Sequence, residues 1–158
     1  MLLGKWYCVG HEDFDEDDMT GTMLLEGTIQ YKKDNTFKTE GKLTCMTEVE
    51  GDEWYNSKTE TLKYTYSFFY SGTWEIKDGY LHEECTNVTI NLIDVKSSLD
   101  LSKKEMEELK EYAIEAIPEM KSEVLGESTD SKITELTPLK CTIIDEDGIE
   151  TTYKRISE

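Results

Sequence analysis

The sequence predicts a mainly β protein: one antiparallel up-and-down β-barrel carrying a single α-helix around residues 102–117. Three observations lead there. Gly4-Lys5-Trp6 near the start is answered by Tyr153-Lys154-Arg155 almost at the end, and a closed barrel needs such a pair where its ends meet, an indole face packed beneath a cation. Asp34-Asn35, Gly51-Asp52, Asp78-Gly79 and Asp147-Gly148 each separate segments rich in Thr, Tyr, Val and Ile, which is the punctuation of antiparallel hairpins. One stretch has helical rather than period-two spacing, and it opens with a capping box, Ser102-Lys103-Lys104-Glu105.

Taken in order, the strands fall at about residues 2–10, 22–33, 36–48, 59–70, 72–77, 80–95, 131–136, 138–145 and 149–156. Side chains alternate between faces along a strand, so if Trp6 points inward Cys8 does too. Leu25, Ile29 and Tyr31 then share the inner face, followed by Phe37, Leu43 and Cys45 on the next strand. Leu62, Tyr64, Tyr66 and Phe68 oppose Lys63, Thr65 and Ser67, and beyond Gly72 the pattern continues in Trp74 and Ile76. On the last hairpin Leu139, Cys141 and Ile143 fall together. In the helix, Met106, Leu109, Ala113, Ile117 and Met120 form a narrow apolar stripe that Pro118 should end or kink. A lone helix among barrel strands either packs outside or plugs one end.

At 158 residues the chain has room for one domain, residues 1–158, with a substantial core. The composition, 37% hydrophobic and 33% charged, is that of a folding, water-compatible chain, and no apolar run is long enough to span a bilayer as a helix. Seventeen basic against 35 acidic residues give a net charge of −18, a field that repels nucleic acid and anionic membranes and attracts a basic protein. Met1-Leu2-Leu3-Gly4 opens directly on a strand. Either the protein is cytosolic, or a signal or lipoprotein leader has been removed.

Residues suited to chemistry are few. Cys8, Cys45, Cys85 and Cys141 are dispersed without a C-x-x-C pair, which argues against structural zinc and leaves open both reduced, strand-facing thiols and disulfide bridges. The run His11-Glu12-Asp13-Phe14-Asp15-Glu16-Asp17-Asp18 begins with the carboxylate spacing of a calcium loop, but Asp18 stands where the turn glycine belongs and Leu24 where the bidentate glutamate belongs. It reads as a solvated loop at the barrel mouth. His82-Glu83-Glu84-Cys85 offers metal-ligand types, yet His82 and Cys85 lie on opposite faces of a strand. Neither His11 nor His82 stands in a nucleophile-elbow context, and no phosphate loop is present. The reading is therefore of a protein with no catalytic residue, metal or cofactor. Tyr31, Phe37, Tyr64, Tyr66, Phe68 and Trp74 either line a ligand cavity or fill the barrel with their own bulk.

Leu3-Gly4-Lys5-Trp6, the strand, Asp-Asn turn and strand from Tyr31 through Phe37, Gly72-Thr73-Trp74-Glu75-Ile76 followed by Asp78-Gly79-Tyr80-Leu81, and the closing segment from Ile133 through Ile156 occur in an order that resembles a known group. The chain is similar to the small lipocalin-like domains of bacterial secreted proteins and lipoproteins, within the wider lipocalin and fatty-acid-binding-protein set. It departs from them in the acidic insertion after strand one and in a helix that precedes the final strands. The resemblance implies a barrel with one open end, a cavity for a small apolar or amphipathic ligand, no enzymatic activity, and a secreted, periplasmic or outer-membrane lipoprotein location. Trp6 and Arg155 are then barrel-closing residues. A rival expectation comes from charge: an acidic interaction protein of inhibitor or immunity type, using the barrel as a scaffold for a basic protein.

Overall fold

Asp78 and Gly79, at φ 53° and 86°, form a two-residue turn whose positive dihedrals match the twist of the strands it joins. The computed structural model describes residues 2–16, 19–49 and 60–157. Within them the chain runs through β1 (Gly4–Glu16), β2 (Met19–Tyr31), β3 (Thr36–Val49), β4 (Glu60–Lys77) and β5 (Tyr80–Ser97). Two helices follow, α1 (Lys103–Glu115) and α2 (Ile117–Val124), and then β6 (Ser128–Leu136), β7 (Lys140–Ile144) and β8 (Glu150–Ser157). Every neighbouring pair of strands is antiparallel. β8 returns to β1 through Lys5 with Ser157, Trp6 with Arg155 and Tyr7 with Lys154, so the eight strands close into one ring-like sheet.

The sequence-based outline needs four corrections. The strands expected at 59–70 and 72–77 are one strand, β4. Gly72 pairs with Cys85 while Ser71 pairs with Asn87, a bulge that bends the strand without breaking it. A Cβ at Gly72 would fall on the carbonyl oxygen of Glu84, so glycine there admits the close approach of β5. The acidic run continues β1 to Glu16 instead of looping away, with His11, Glu12 and Asp13 paired to Leu24, Met23 and Thr22. Asp17, Asp18, residue 59 and the Gly51-Asp52 turn lie outside the described residues.

α1 ends at Glu115, as expected near Ile117, but a second helix, α2, follows at once where one helix was expected. Pro118 stands in the first turn of α2, where a missing amide hydrogen leaves no intrahelical acceptor unsatisfied. Finally, Leu139 lies in the β6–β7 turn and is 74% exposed, while Ile76 at the end of β4 is 43% exposed. Alternation had placed both inside.

Inward side chains form two clusters. Near the seam are Leu2, Trp6, Ile29, Tyr31, Phe37, Leu81, Cys141 and Ile143, with Trp74, Ile133 and Tyr153 against them. Farther along the long strands are Leu62, Tyr64, Tyr66, Phe68, Ile90, Val95 and Ala113. Met106, Leu109, Ile117 and Met120 of the helices join this second cluster. The helices therefore lie on the inner face, and the choice between outside packing and a plug falls to the latter.

The capping box is formed: Ser102 Oγ accepts from the Glu105 amide at 3.3 Å, and the Glu105 carboxylate accepts from the Ser102 amide at 2.8 Å. These bonds hold the Glu105 carboxyl below its ordinary range. Ser102→Ala is expected to cost about 1 kcal/mol of helix stability. Faster hydrogen exchange at the amides of residues 103–106, with the strand amides unchanged, would show it.

Candidate functional site

Trp6 is fully buried, and its indole Nε1 donates to the Leu2 carbonyl at 2.7 Å. The Arg155 guanidinium lies over its ring, 4.2 Å from the centroid, and Nη1 donates to the Leu3 carbonyl at 2.5 Å. One cation thus ties the last strand to the residues that lead into the first. The expected closing pair meets at the seam itself.

The six aromatics proposed for a cavity divide between the two clusters. Tyr31, Phe37 and Trp74 meet near the seam, with Tyr31 packed edge-on against Trp74 at 5.2 Å between centroids and tilted to Phe37 at 6.4 Å. The Trp74 indole donates to the Thr36 carbonyl at 3.1 Å, which fixes it against the β2–β3 turn. Tyr64, Tyr66 and Phe68 face the helices instead. Tyr66 Oη donates to the Ala113 carbonyl at 3.1 Å, and burial pushes its phenol up to about 12. Phe68 lies against Gly27 and Gly41, whose missing side chains leave room for the ring across two strands. In sequence all six belong to one face; the ring separates them along its axis.

A residue passed over in the sequence as one of a possible metal-ligand set sits at the centre of the first cluster. Leu81, Glu83 and Cys85 alternate on the inner face of β5, and the Glu83 carboxylate accepts a hydrogen bond from Tyr31 Oη at 2.8 Å. Burial raises its carboxyl from 4.5 to about 7, against the opposing pull of the Tyr31 bond. Its charge is felt by four neighbours on four other strands. Burial first, and then the Glu83 charge, push the Cys8 and Cys141 thiols up to about 11, and the same causes hold the phenols of Tyr31 and Tyr153 well above their ordinary range. The signal was present in the sequence: Glu83 stands two residues from Leu81 and two from Cys85 in a period-two strand.

Its neighbour His82 faces the other way and meets Asp130 of β6 at 2.5 Å. Cys85 Sγ points to the carbonyls of Ser71 and Asn87. His82 and Cys85 thus diverge. All four cysteines are free thiols, and burial raises the pKa of each. Among the described residues, no group of three His, Cys, Asp or Glu side chains is arranged to hold a metal ion, and no helix is long and apolar enough to cross a membrane.

Depressions of about 460 to 610 Å³ open on the surface. One of about 560 Å³ lies at the seam end beside Tyr31 and Arg155, and another of about 480 Å³ lies beside Trp74 and Glu83. Compared with known proteins, the chain matches no family model and no curated sequence.

Proposed function

We propose that the closed sheet is a lipocalin-like barrel and that the protein is a non-enzymatic binding protein, working outside the cytoplasm, that holds a small apolar or amphipathic molecule against the aromatic wall of β4. The observation that carries this reading is the way the wall is covered. Tyr64, Tyr66 and Phe68 are all inward and buried, yet of α1 only Ala113 is buried to the same degree, and of α2 no residue is. A cover held by so few buried side chains opens at low cost. Beneath it lies an apolar surface with hydroxyl groups, the combination that small-molecule sites use. The strand order and the Trp6–Arg155 seam support the lipocalin-like assignment, and the sequence resemblance supports export.

Titration with an uncharged fluorescent apolar probe tests the reading. Tyr66→Phe, which releases the Ala113 carbonyl, is expected to tighten probe binding, and Phe68→Ala to weaken it about tenfold. A probe that ignores wild type and both variants would sink the proposal. Native mass spectrometry of protein from its own source, showing a co-purified small molecule, would support it.

A second reading has its own observation. His11, Asp13 and Asp15 are exposed and alternate along one face of β1, with Glu48 two strands away in the same row as Asp15. This ordered acidic surface suits a basic protein partner. Asp13→Lys with Asp15→Lys would abolish salt-sensitive binding of that partner and leave probe binding intact.

A further inference from the structure

The ring is closed unevenly along its axis. β1 pairs with β2 over its whole length, from Gly4 to Glu16, without a break in register, but on its other side it pairs with β8 only at Lys5, Trp6 and Tyr7 among the described residues. Carried on at the register of Trp6 and Tyr7, β8 runs out at Glu150, opposite His11. The stretch from Glu12 to Glu16 therefore extends past the end of β8. Along an antiparallel strand, successive residues direct their amide and carbonyl toward one neighbour and then the other, and among the described residues nothing bonds to this stretch on the side away from β2. The helices leave it open, because both pack against β5 and not along β1. Its length, about five residues, is that of an ordinary strand.

Proteins guard such an edge with a lysine, a proline, a bulge or a covering segment. This one carries Glu12, Asp13, Asp15 and Glu16 instead. We propose that the free edge of β1 receives an extended basic segment of a partner protein, which adds to the sheet as an antiparallel strand in line with β8. The inference rests on the basic-partner reading of this acidic surface and gives that reading a mode of attachment. Charge selects the occupant. Strand period puts Asp13 and Asp15 on one face and Glu12 on the other, and all three are exposed, so a lysine or arginine on either face of an incoming strand meets a carboxylate across the pair. The Asp13 carboxylate is positioned in advance: Oδ1 accepts from Thr22 Oγ1 at 2.8 Å and lies 3.5 Å from His11 Nε2. Glu150, exposed at the start of β8, sets a further carboxylate at the end of the slot. A second copy of this chain is the wrong occupant, because two β1 edges would set carboxylates against carboxylates.

Titration and hydrogen exchange of the full chain with an octapeptide of alternating lysine and valine test the edge. The peptide is expected to bind one to one, to weaken as salt is added, and to slow exchange about tenfold or more at alternate amides among residues 12–16, with the amides of β3 and β4 unchanged. The same peptide N-methylated at every amide keeps its charge and loses every backbone donor, and should bind about tenfold or more weakly. Asp13→Lys with Asp15→Lys should abolish peptide binding. Salt-sensitive binding that leaves the amides of residues 12–16 unprotected, or that the methylated peptide matches, overturns strand addition and leaves the acidic-surface reading standing. Self-association of the chain that excludes the peptide from this edge also overturns the inference. A peptide that shows no salt-sensitive binding at all overturns both.

Discussion

Glu83→Gln will flatten the dependence of unfolding free energy on pH between 4.5 and about 7, and will stabilise the protein by up to about 3 kcal/mol above that window. The sign follows from the direction of the shift. The folded state raises the Glu83 carboxyl from 4.5 to about 7, so in this interval the native protein holds a proton that the unfolded chain has released. The associated stability is complete below 4.5 and is lost as pH rises through 7. Partial solvent contact of the side chain makes about 3 kcal/mol an upper figure. The groups that face Glu83 from β1, β2, β7 and β8 are Cys8, Tyr31, Cys141 and Tyr153, and all are raised away from neutrality. None of them supplies a competing titration in the window. Glutamine keeps an acceptor for Tyr31 Oη and cannot ionise. Urea unfolding of both proteins at pH 5, 6, 7 and 8 checks this, and parallel profiles for wild type and Glu83→Gln would refute it.

Glu83 also shows where sequence legibility ends. Turn chemistry and strand period are local, and they were readable: the Asp78-Gly79 turn, the Ser102 cap, and the inward row of Leu62, Tyr64, Tyr66 and Phe68 occur where residue type alone puts them. The meeting of Trp6 and Arg155, 149 positions apart, was readable because a tryptophan and a cation at the two chain ends have few other uses in a closed sheet. What depends on distance between strands was not. Gly72 resembles a strand end, and only the approach of the Glu84 carbonyl shows it to be a bulge. Ile76 and Leu139 obey the inward period, but a period does not say where the sheet stops being covered. Pro118 marks the break after α1, but a proline that ends one helix and one that sits in the first turn of the next look alike in sequence, so α2 was not legible. The acidic run is polar enough for a loop, yet its backbone bonds are supplied by Met23 and Leu24 across the hairpin, a partner that its own composition cannot reveal.

The second large effect is expected at the seam. Trp6→Ala should cost about 3–5 kcal/mol, the range for emptying a fully buried large aromatic site, and the loss should be felt at both chain ends. Among the described residues the registered pairing of β1 with β8 spans Lys5, Trp6 and Tyr7, with Trp6 in the middle of it. Removing the indole leaves the Leu2 carbonyl without its donor and the Arg155 guanidinium without the ring beneath it. Trp6→Phe keeps an aromatic face and gives up the indole N–H, so it should fall well short of the alanine loss. A double-mutant cycle of Trp6→Phe with Arg155→Met isolates the cation–ring contact, with a coupling of about 0.5–2 kcal/mol. Hydrogen exchange locates the damage: amides of residues 154–157 should lose protection in Trp6→Ala well before those of β3 and β4. If protection falls uniformly through the sheet, Trp6 is an ordinary core residue, and closure rests on the packing of Leu2, Cys141 and Ile143 instead.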